Sequence, residues 1–448
     1  MEKITASFRD PSGFVFRKNG DIYRKINECY KDTFYKFTHN GLYQELLNKN
    51  LIIPHVVVSE DIIKPEEIFI SYPYEWSFEQ YKDAALTTLY IQKIALDYNM
   101  CLKDATPYNI QFYKGSPVLI DTLSFEVFEE KPWVAYNQFC TMFLAPLALM
   151  SYRDHRLSCL MKNFISGIPL DLCAELLPLK SKMNIGLLLN IFSHARSQKK
   201  YEDNTKIDAK KIKITKQQHE NIIKVLIDTI KGLSIKEKNT EWSDYYQHTN
   251  YQNQSFEFKK STVRKYIEHI SPQKMIDLGA NTNIFSNIAT DMGIQVYSLD
   301  IDYIAVNRSY KTAKKMNNKL LLPLVMDLTN PSPGIGWNNE ERMSLLSRTK
   351  NIDCCMALAL IHHLAISNNL PFEYIAQYFS RLSKFLIIEF VDKTDSQVQK
   401  LLFSREDIFN QYTKENFKLV FSKYFTIIKE DPIPFSNRIL YLMSRKVD

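Results

Sequence analysis

At 448 residues the chain is long for one hydrophobic core, which predicts two domains joined by a helical insert. Its 45% hydrophobic and 24% charged residues are those of a globular protein and exclude a disordered or fibrous chain. Much of the net charge of +7 comes from residues 199–216 rather than from a patterned stripe, so a solvated linker is expected there and a nucleic-acid partner is not.

The 7 cysteines form no CxxC pair and no spacing that fits a metal site. Their odd, scattered set fits reduced thiols in the cytoplasm. The first residues contain no apolar stretch of the secretory kind. Residues 139–150 are the most apolar run, but they are too few to span a bilayer and include Pro146, so a buried helix is expected.

Taken in chain order, residues 13–26 read as a β-hairpin carrying Arg24 and Lys25, and residues 42–48 as a helix carrying Glu45. Residues 68–74 read as a strand and residues 84–98 as a helix. Next come Asp104 and Asn109, an apolar strand, a turn at Gly115, and a second strand ending in Asp121. This skeleton resembles the catalytic loop and metal-binding strand of protein-kinase-like and aminoglycoside-phosphotransferase-like folds. The resemblance implies that Asp104 orients an acceptor hydroxyl and that Asn109 and Asp121 hold magnesium. It further implies that Lys25 meets the phosphates of ATP and pairs with Glu45.

The departures are specific. The motif's histidine just before the aspartate is missing, since Cys101, Leu102 and Lys103 precede Asp104; no glycine-rich loop precedes the hairpin, and Leu123 stands where the motif has glycine. They favour a degenerate binding domain over an active kinase. The alternative is that Asp104 and Asn109 cap a turn between two strands. The expected divisions are an α+β domain over residues 1–160, a helical connector with a Lys-rich linker over 161–240, and an α/β domain over 241–448.

In that last part short apolar runs alternate with helical periods, the pattern of a doubly wound parallel sheet. Strands are expected at 274–279, 295–300, 320–327, 352–360 and 385–390, with an antiparallel pair at 425–429 and 438–443. Helices fill residues 284–292, 303–316 and 372–382. Ligands of such sheets bind outside the carboxyl ends of the strands, where the strand order reverses. Asp277 and Gly279 open the first turn, with Asn281 and Asn283 following. Asp300 ends the second strand, where a carboxylate can accept ribose hydroxyls, and Asp327 with Leu328 offers an amine contact and an apolar wall. Ala357 lies at the end of the fourth strand, followed by His362 and His363, and Glu389 ends the fifth.

This arrangement resembles class I S-adenosylmethionine-dependent methyltransferases over roughly the last 190 residues. The family pattern D/E-x-G-x-G-x-G survives as Asp277 and Gly279, with asparagine at 281 and 283, a residue that tolerates left-handed backbone. A dinucleotide-binding domain would share Asp300, but G-x-G-x-x-G is absent. The resemblance implies that S-adenosylmethionine is the cofactor. His362, His363 or Glu389 would then serve as a base toward the acceptor, or pack at the strand ends. Residues 70–76, 119–125 and 357–364 look like a bacterial methyltransferase family labelled by similarity to nodulation proteins, which implies a glycan or small-molecule acceptor with a hydroxyl or amine. The competing expectations are a bifunctional kinase–methyltransferase and a non-catalytic binding protein.

Overall fold

The computed structural model describes residues 2–196, 213–237, 253–403 and 405–446, so residues 199–212 of the linker expected over 199–216 lie outside the described residues. The chain divides into Met1–Glu237 with Gly334–Met343, and Lys238–Pro333 with Ser344–Asp448. No helix among the described residues is long and apolar enough to cross a membrane.

The first unit begins with strands β1 (Glu2–Lys3), β2 (Gly13–Lys18), β3 (Asp21–Ile26), β4 (His55–Ser59) and β5 (Ile62–Pro65). They form an antiparallel sheet in the order β1-β2-β3-β5-β4. Helices α1 (Lys31–His39) and α2 (Leu42–Asn48) lie between β3 and β4 in the chain and bury Phe34, Phe37, Leu42 and Leu46. Helix α3 (Phe78–Asp97) starts at Ser77, whose side chain and that of Gln80 cap each other's backbone. Two short hairpin-like pairs follow. Strand β6 (Met100–Leu102) pairs with β9 (Phe125–Val127), and β7 (Ile110–Tyr113) pairs with β8 (Ser116–Leu119). Among the helices that follow are α4 (Ala145–Tyr152) and α5 (Lys216–Gly232), with α5 packed on α3.

Residues 68–74 are not the strand that their composition suggests. Ser71 gives its N–H to the Gln111 side chain at 2.8 Å, and its carbonyl accepts from Gln111 Nε2 at 2.9 Å. A buried amide side chain thus takes the place of a neighbouring strand and satisfies this backbone without a ladder. The excursion Gly334–Met343 belongs to the same unit. Arg9 grips Glu341 with two bonds of 2.9 and 3.0 Å, Arg342 lies 4.2 Å over the Tyr108 ring, and the N–H of Met343 donates to Tyr72 Oη at 2.7 Å.

The second unit opens with α6 (Asn253–Ile270), then β10 (Lys274–Leu278), α7 (Ile284–Asp291), β11 (Gln295–Asp300), α8 (Tyr303–Lys315) and β12 (Leu321–Val325). After the excursion come β13 (Cys354–Ala357), α9 (Phe372–Leu382), β14 (Phe385–Val391), α10 (Lys414–Tyr424), β15 (Phe425–Pro432) and β16 (Arg438–Arg445). The sheet order is β12-β11-β10-β13-β14-β16-β15. Its first five strands are parallel, and β16 enters antiparallel between β14 and β15. Counted within the sheet this is 3-2-1-4-5-7-6, the order of the class I methyltransferase fold. The order reverses between β10 and β13, and that gap is the place where such sheets bind ligands.

The parallel strands read as apolar runs because both their faces are covered: every residue of β12 and β13 is buried. Helix α9 buries Phe372, Ile375, Ala376, Phe379 and Leu382, a single stripe at helical spacing. Phe417 of α10 sits among aromatic rings, 5.7 Å from Phe372, 5.1 Å from Phe390, 4.3 Å from Phe421 and 5.2 Å from Tyr441. Phe417→Ala should therefore cost about 3–5 kcal/mol in equilibrium unfolding, whereas Phe403→Ala, at a side chain 93% exposed, should change little.

Candidate functional site

The turn after β10 is shaped by residues that accept positive φ. Gly279 has φ +71°, Asn281 +49° and Asn283 +64°. The N–H groups of Gly279 and Ala280 both donate to the Leu299 carbonyl, at 2.8 and 3.1 Å, which folds the turn over the end of β11. A Cβ placed on Gly279 would lie 3.3 Å from Leu360 Cδ1, so this position tolerates no larger residue without movement. Asn283 begins α7 without a capping bond from its side chain, and its buried Nδ2 has no hydrogen-bond partner.

Two carboxylates converge behind this turn. Asp277 accepts from Ser286 Oγ at 2.6 Å and is buried. Asp300 accepts from the N–H of Asn281 at 2.7 Å and from that of Asp302 at 2.8 Å. Burial raises the pKa of both. Asp277 is pushed up to about 7, countered by the Ser286 bond and reinforced by Asp300, and Asp300 is pushed up to about 6 against its backbone bonds. Asp302 caps α8 through the N–H groups of Ile304 and Ala305. Between these acids Ile301 is 56% exposed, a large apolar side chain left open beside Asp300. Its only signal in the sequence is an aliphatic residue directly after an acidic strand end.

Asp327 and Leu328 follow β12 and are half-buried. Asp327 Oδ1 accepts from the N–H and the hydroxyl of Thr329, at 2.8 and 2.7 Å. Leu328 lines an apolar cavity of about 190 Å³ together with Thr329, Leu364, Ile375 and Phe379. Ala357 ends β13, fully buried and in register with Leu278.

The base candidates separate sharply. His362 is fully buried, and neither ring nitrogen has a hydrogen-bond partner. Burial, then the neighbouring His363, Arg438 and Lys259, hold its pKa well below the usual imidazole range. His363 lies 4.2 Å away ring to ring and is half-buried, with its pKa lowered to about 4 by burial and Arg438. Both rings are therefore held in the neutral form near pH 7. Glu389 does not face an open cleft. It is fully buried, and Oε2 accepts from Lys259 Nζ at 2.6 Å and from the Ala359 N–H at 2.7 Å. Arg438 NH1 lies 3.6 Å from its other oxygen, while Arg438 Nε bonds Asp395 at 2.7 Å.

In the first unit, Asn109 Nδ2 reaches Asp121 Oδ2 at 3.5 Å and Ser124 Oγ at 3.2 Å. Burial raises the Asp104 pKa, with Asp121 adding to the effect and hydrogen bonds from Gln138 and Asn109 opposing it. These residues are therefore close together. The lysine–glutamate pair is not formed: Lys25 pairs with Asp61, and Glu45 pairs with Lys49 one helical turn on. The adjacent strand position explains the difference, since Arg24 points the other way. Its NH2 group meets Asp121 at 2.8 Å and Asp10 at 2.7 Å. No group of three or more His, Cys, Asp or Glu among the described residues could hold a metal ion.

The raised value at Asp277 has a measurable sign. The folded state keeps a proton there between the ordinary value of 3.8 and about 7. Its contribution to stability is therefore full below about pH 4 and is lost as pH rises through about 7. Asp277→Asn should flatten that fall in urea unfolding titrations run across the interval.

Comparison with known proteins adds the lineage. No family model matches the chain. Nodulation protein NoeA of Rhizobium meliloti (strain 1021) is 31% identical over 461 residues, which cover 99% of this chain and 96% of that protein. Among solved structures, the bifunctional kinase-methyltransferase WbdD aligns with a TM-score of 0.31 and 15% identity, over 43% of this chain and 40% of its own, less than half its length. Magnesium protoporphyrin IX methyltransferase (ChlM) from Synechocystis PCC 6803 aligns with a TM-score of 0.31 and 15% identity, over 43% of this chain and 84% of its own. These scores are low, and the fold rests on the strand order instead. The near-complete match to NoeA decides the family: the chain belongs to the family of the nodulation protein NoeA.

Proposed function

We propose that the chain is an S-adenosylmethionine-dependent methyltransferase acting on a hydroxyl or amine of a glycan or small molecule, with the first unit selecting that acceptor. The observation that carries this reading is the pair of buried carboxylates, Asp277 and Asp300, at the carboxyl ends of adjacent parallel strands beside the point where strand order reverses. The chain's own residues fit the cofactor. The Gly279 turn leaves a close approach that a side chain would fill, Asn283 offers a buried donor, and Ile301 offers an open apolar face.

When bound, the cofactor supplies a sulfonium methyl for in-line displacement. In this reading Asp300 accepts the ribose hydroxyls, Asp277 holds the amino group directly or through water, and Asp327 with Leu328 receives the adenine. Ala357 walls the methionine end. The neutral His363 is the residue able to take a proton from an acceptor, since it is half-buried whereas His362 is sealed and Glu389 is committed to Lys259. The relative's designation as a nodulation protein supports a glycan-related acceptor.

A second reading, ATP with magnesium at Asp104, Asn109 and Asp121, is favoured by the closeness of those three side chains. The Arg24 ion pair with Asp121 supports a degenerate site instead.

Incubation with extract fractions should convert S-adenosylmethionine to S-adenosylhomocysteine, and Asp300→Ala should abolish both turnover and calorimetric binding. Absence of cofactor binding by the unaltered chain would refute the reading. ATP plus magnesium should leave the melting temperature unchanged if the first unit is degenerate, and raise it in an Asp121-dependent way if it is not.

A further inference from the structure

We propose that Lys259 is a positioning residue of the cofactor site: through Glu389 it holds Ala359 in a left-handed conformation and so sets the wall that Leu360 presents to the Gly279 turn. The inference rests on the cofactor reading above and adds to it a residue of α6 whose side chain is sealed from solvent.

Ala359 is the starting point. Its φ is +49°, in a region where Cβ crowds the backbone and where glycine or asparagine is the usual occupant. A strained residue persists only where its surroundings over-determine it. Here the determinant is its N–H, donated to Glu389 Oε2 at 2.7 Å. That acceptor is itself costly to keep, because a carboxylate removed from water must be matched by charge and by donors. Lys259 Nζ supplies the match on the same oxygen at 2.6 Å, and both side chains are essentially sealed, 3% and 0% exposed.

Arg438 stands farther from Glu389 than Lys259 does. Its Nε and NH2 are given to Asp395 at 2.7 and 3.2 Å, and its NH1 stays 3.6 Å from Glu389. Lys259 is held in turn, with its ammonium 4.8 Å over the Phe285 ring of α7. One residue beyond Ala359, Leu360 closes on Gly279, and the same turn presents the Asn281 N–H to Asp300. A change at Lys259 therefore reaches the ribose carboxylate through a continuous set of bonds and contacts.

The test uses the full chain, with S-adenosylhomocysteine as the calorimetric probe and hydrogen exchange read on residues 357–364. Lys259→Met should speed that exchange and weaken binding about tenfold or more at a temperature where the protein remains folded. Adding Ala359→Gly, which removes the left-handed penalty, should recover part of the affinity, whereas a helix-docking role for Lys259 would not respond to it. Where Lys259→Met fails to fold, Lys259→Gln serves, with a smaller loss expected. Unchanged exchange and affinity, or no recovery on Ala359→Gly, would overturn the proposal. If the unaltered chain does not bind the probe, the cofactor reading falls instead, and the exchange comparison alone decides the role of Lys259.

Discussion

A carboxylate sealed away from water is the constraint around which the second unit is arranged. Glu389 sits at the carboxyl end of β14 with no exposure, so its charge persists only if cation and donors arrive from elsewhere in the chain. They come from three separate segments: Lys259 on α6, the Ala359 amide after β13, and Arg438 on β16, which is shared with Asp395. Elements distant in sequence are thereby required to meet at one point. The apolar core beneath, with Met275, Val296, Met356, Ile387 and Leu442, supplies the bulk of the driving force but is less particular about register.

The same physics operates at the carboxyl ends of β10 and β11. Asp277 and Asp300 are desolvated without a full cationic partner, and their pKa values rise to about 7 and about 6. Their acceptor capacity is only partly used, by Ser286 for one and by two backbone amides for the other. A polyhydroxylated ligand with a cationic end would relieve both conditions, donating to Asp300 and compensating Asp277. In the proposed reading, stability and binding pull in opposite directions at these residues, as is common where a site stores unfavourable burial.

Much of this was legible in the amino-acid sequence, and for a physical reason. Parallel strands covered on both faces leave unbroken apolar runs, and an acidic residue at the end of such a run is conspicuous, so β10 to β14 and the places of Asp277, Asp300 and Asp327 near their ends could be read directly. The closing pair β15 and β16 was equally visible. What stayed hidden depends on tertiary partners. Lys259 lies in a helix that looks polar, and nothing local distinguishes a sealed ammonium from a solvated one. Glu389 reads as a cleft acid until Lys259 is seen beside it. The 68–74 stretch has strand composition, but its partner is the Gln111 side chain, and Lys25 turns to Asp61 while Arg24 meets Asp121 because adjacent strand residues face opposite sides.

The excursion Gly334–Met343 carries a consequence for inheritance. It interrupts the second unit between β12 and β13, yet its anchors, Arg9, Tyr72 and Tyr108, lie in the first third of the chain. No single cut separates the two halves cleanly, because a fragment beginning at the second unit would still carry Glu341 and Arg342 without the groups that neutralise and cover them. Gene fission or domain shuffling at the obvious boundary would therefore yield a piece with an orphaned ten-residue insert, and the two halves are expected to travel together through evolution as one reading frame.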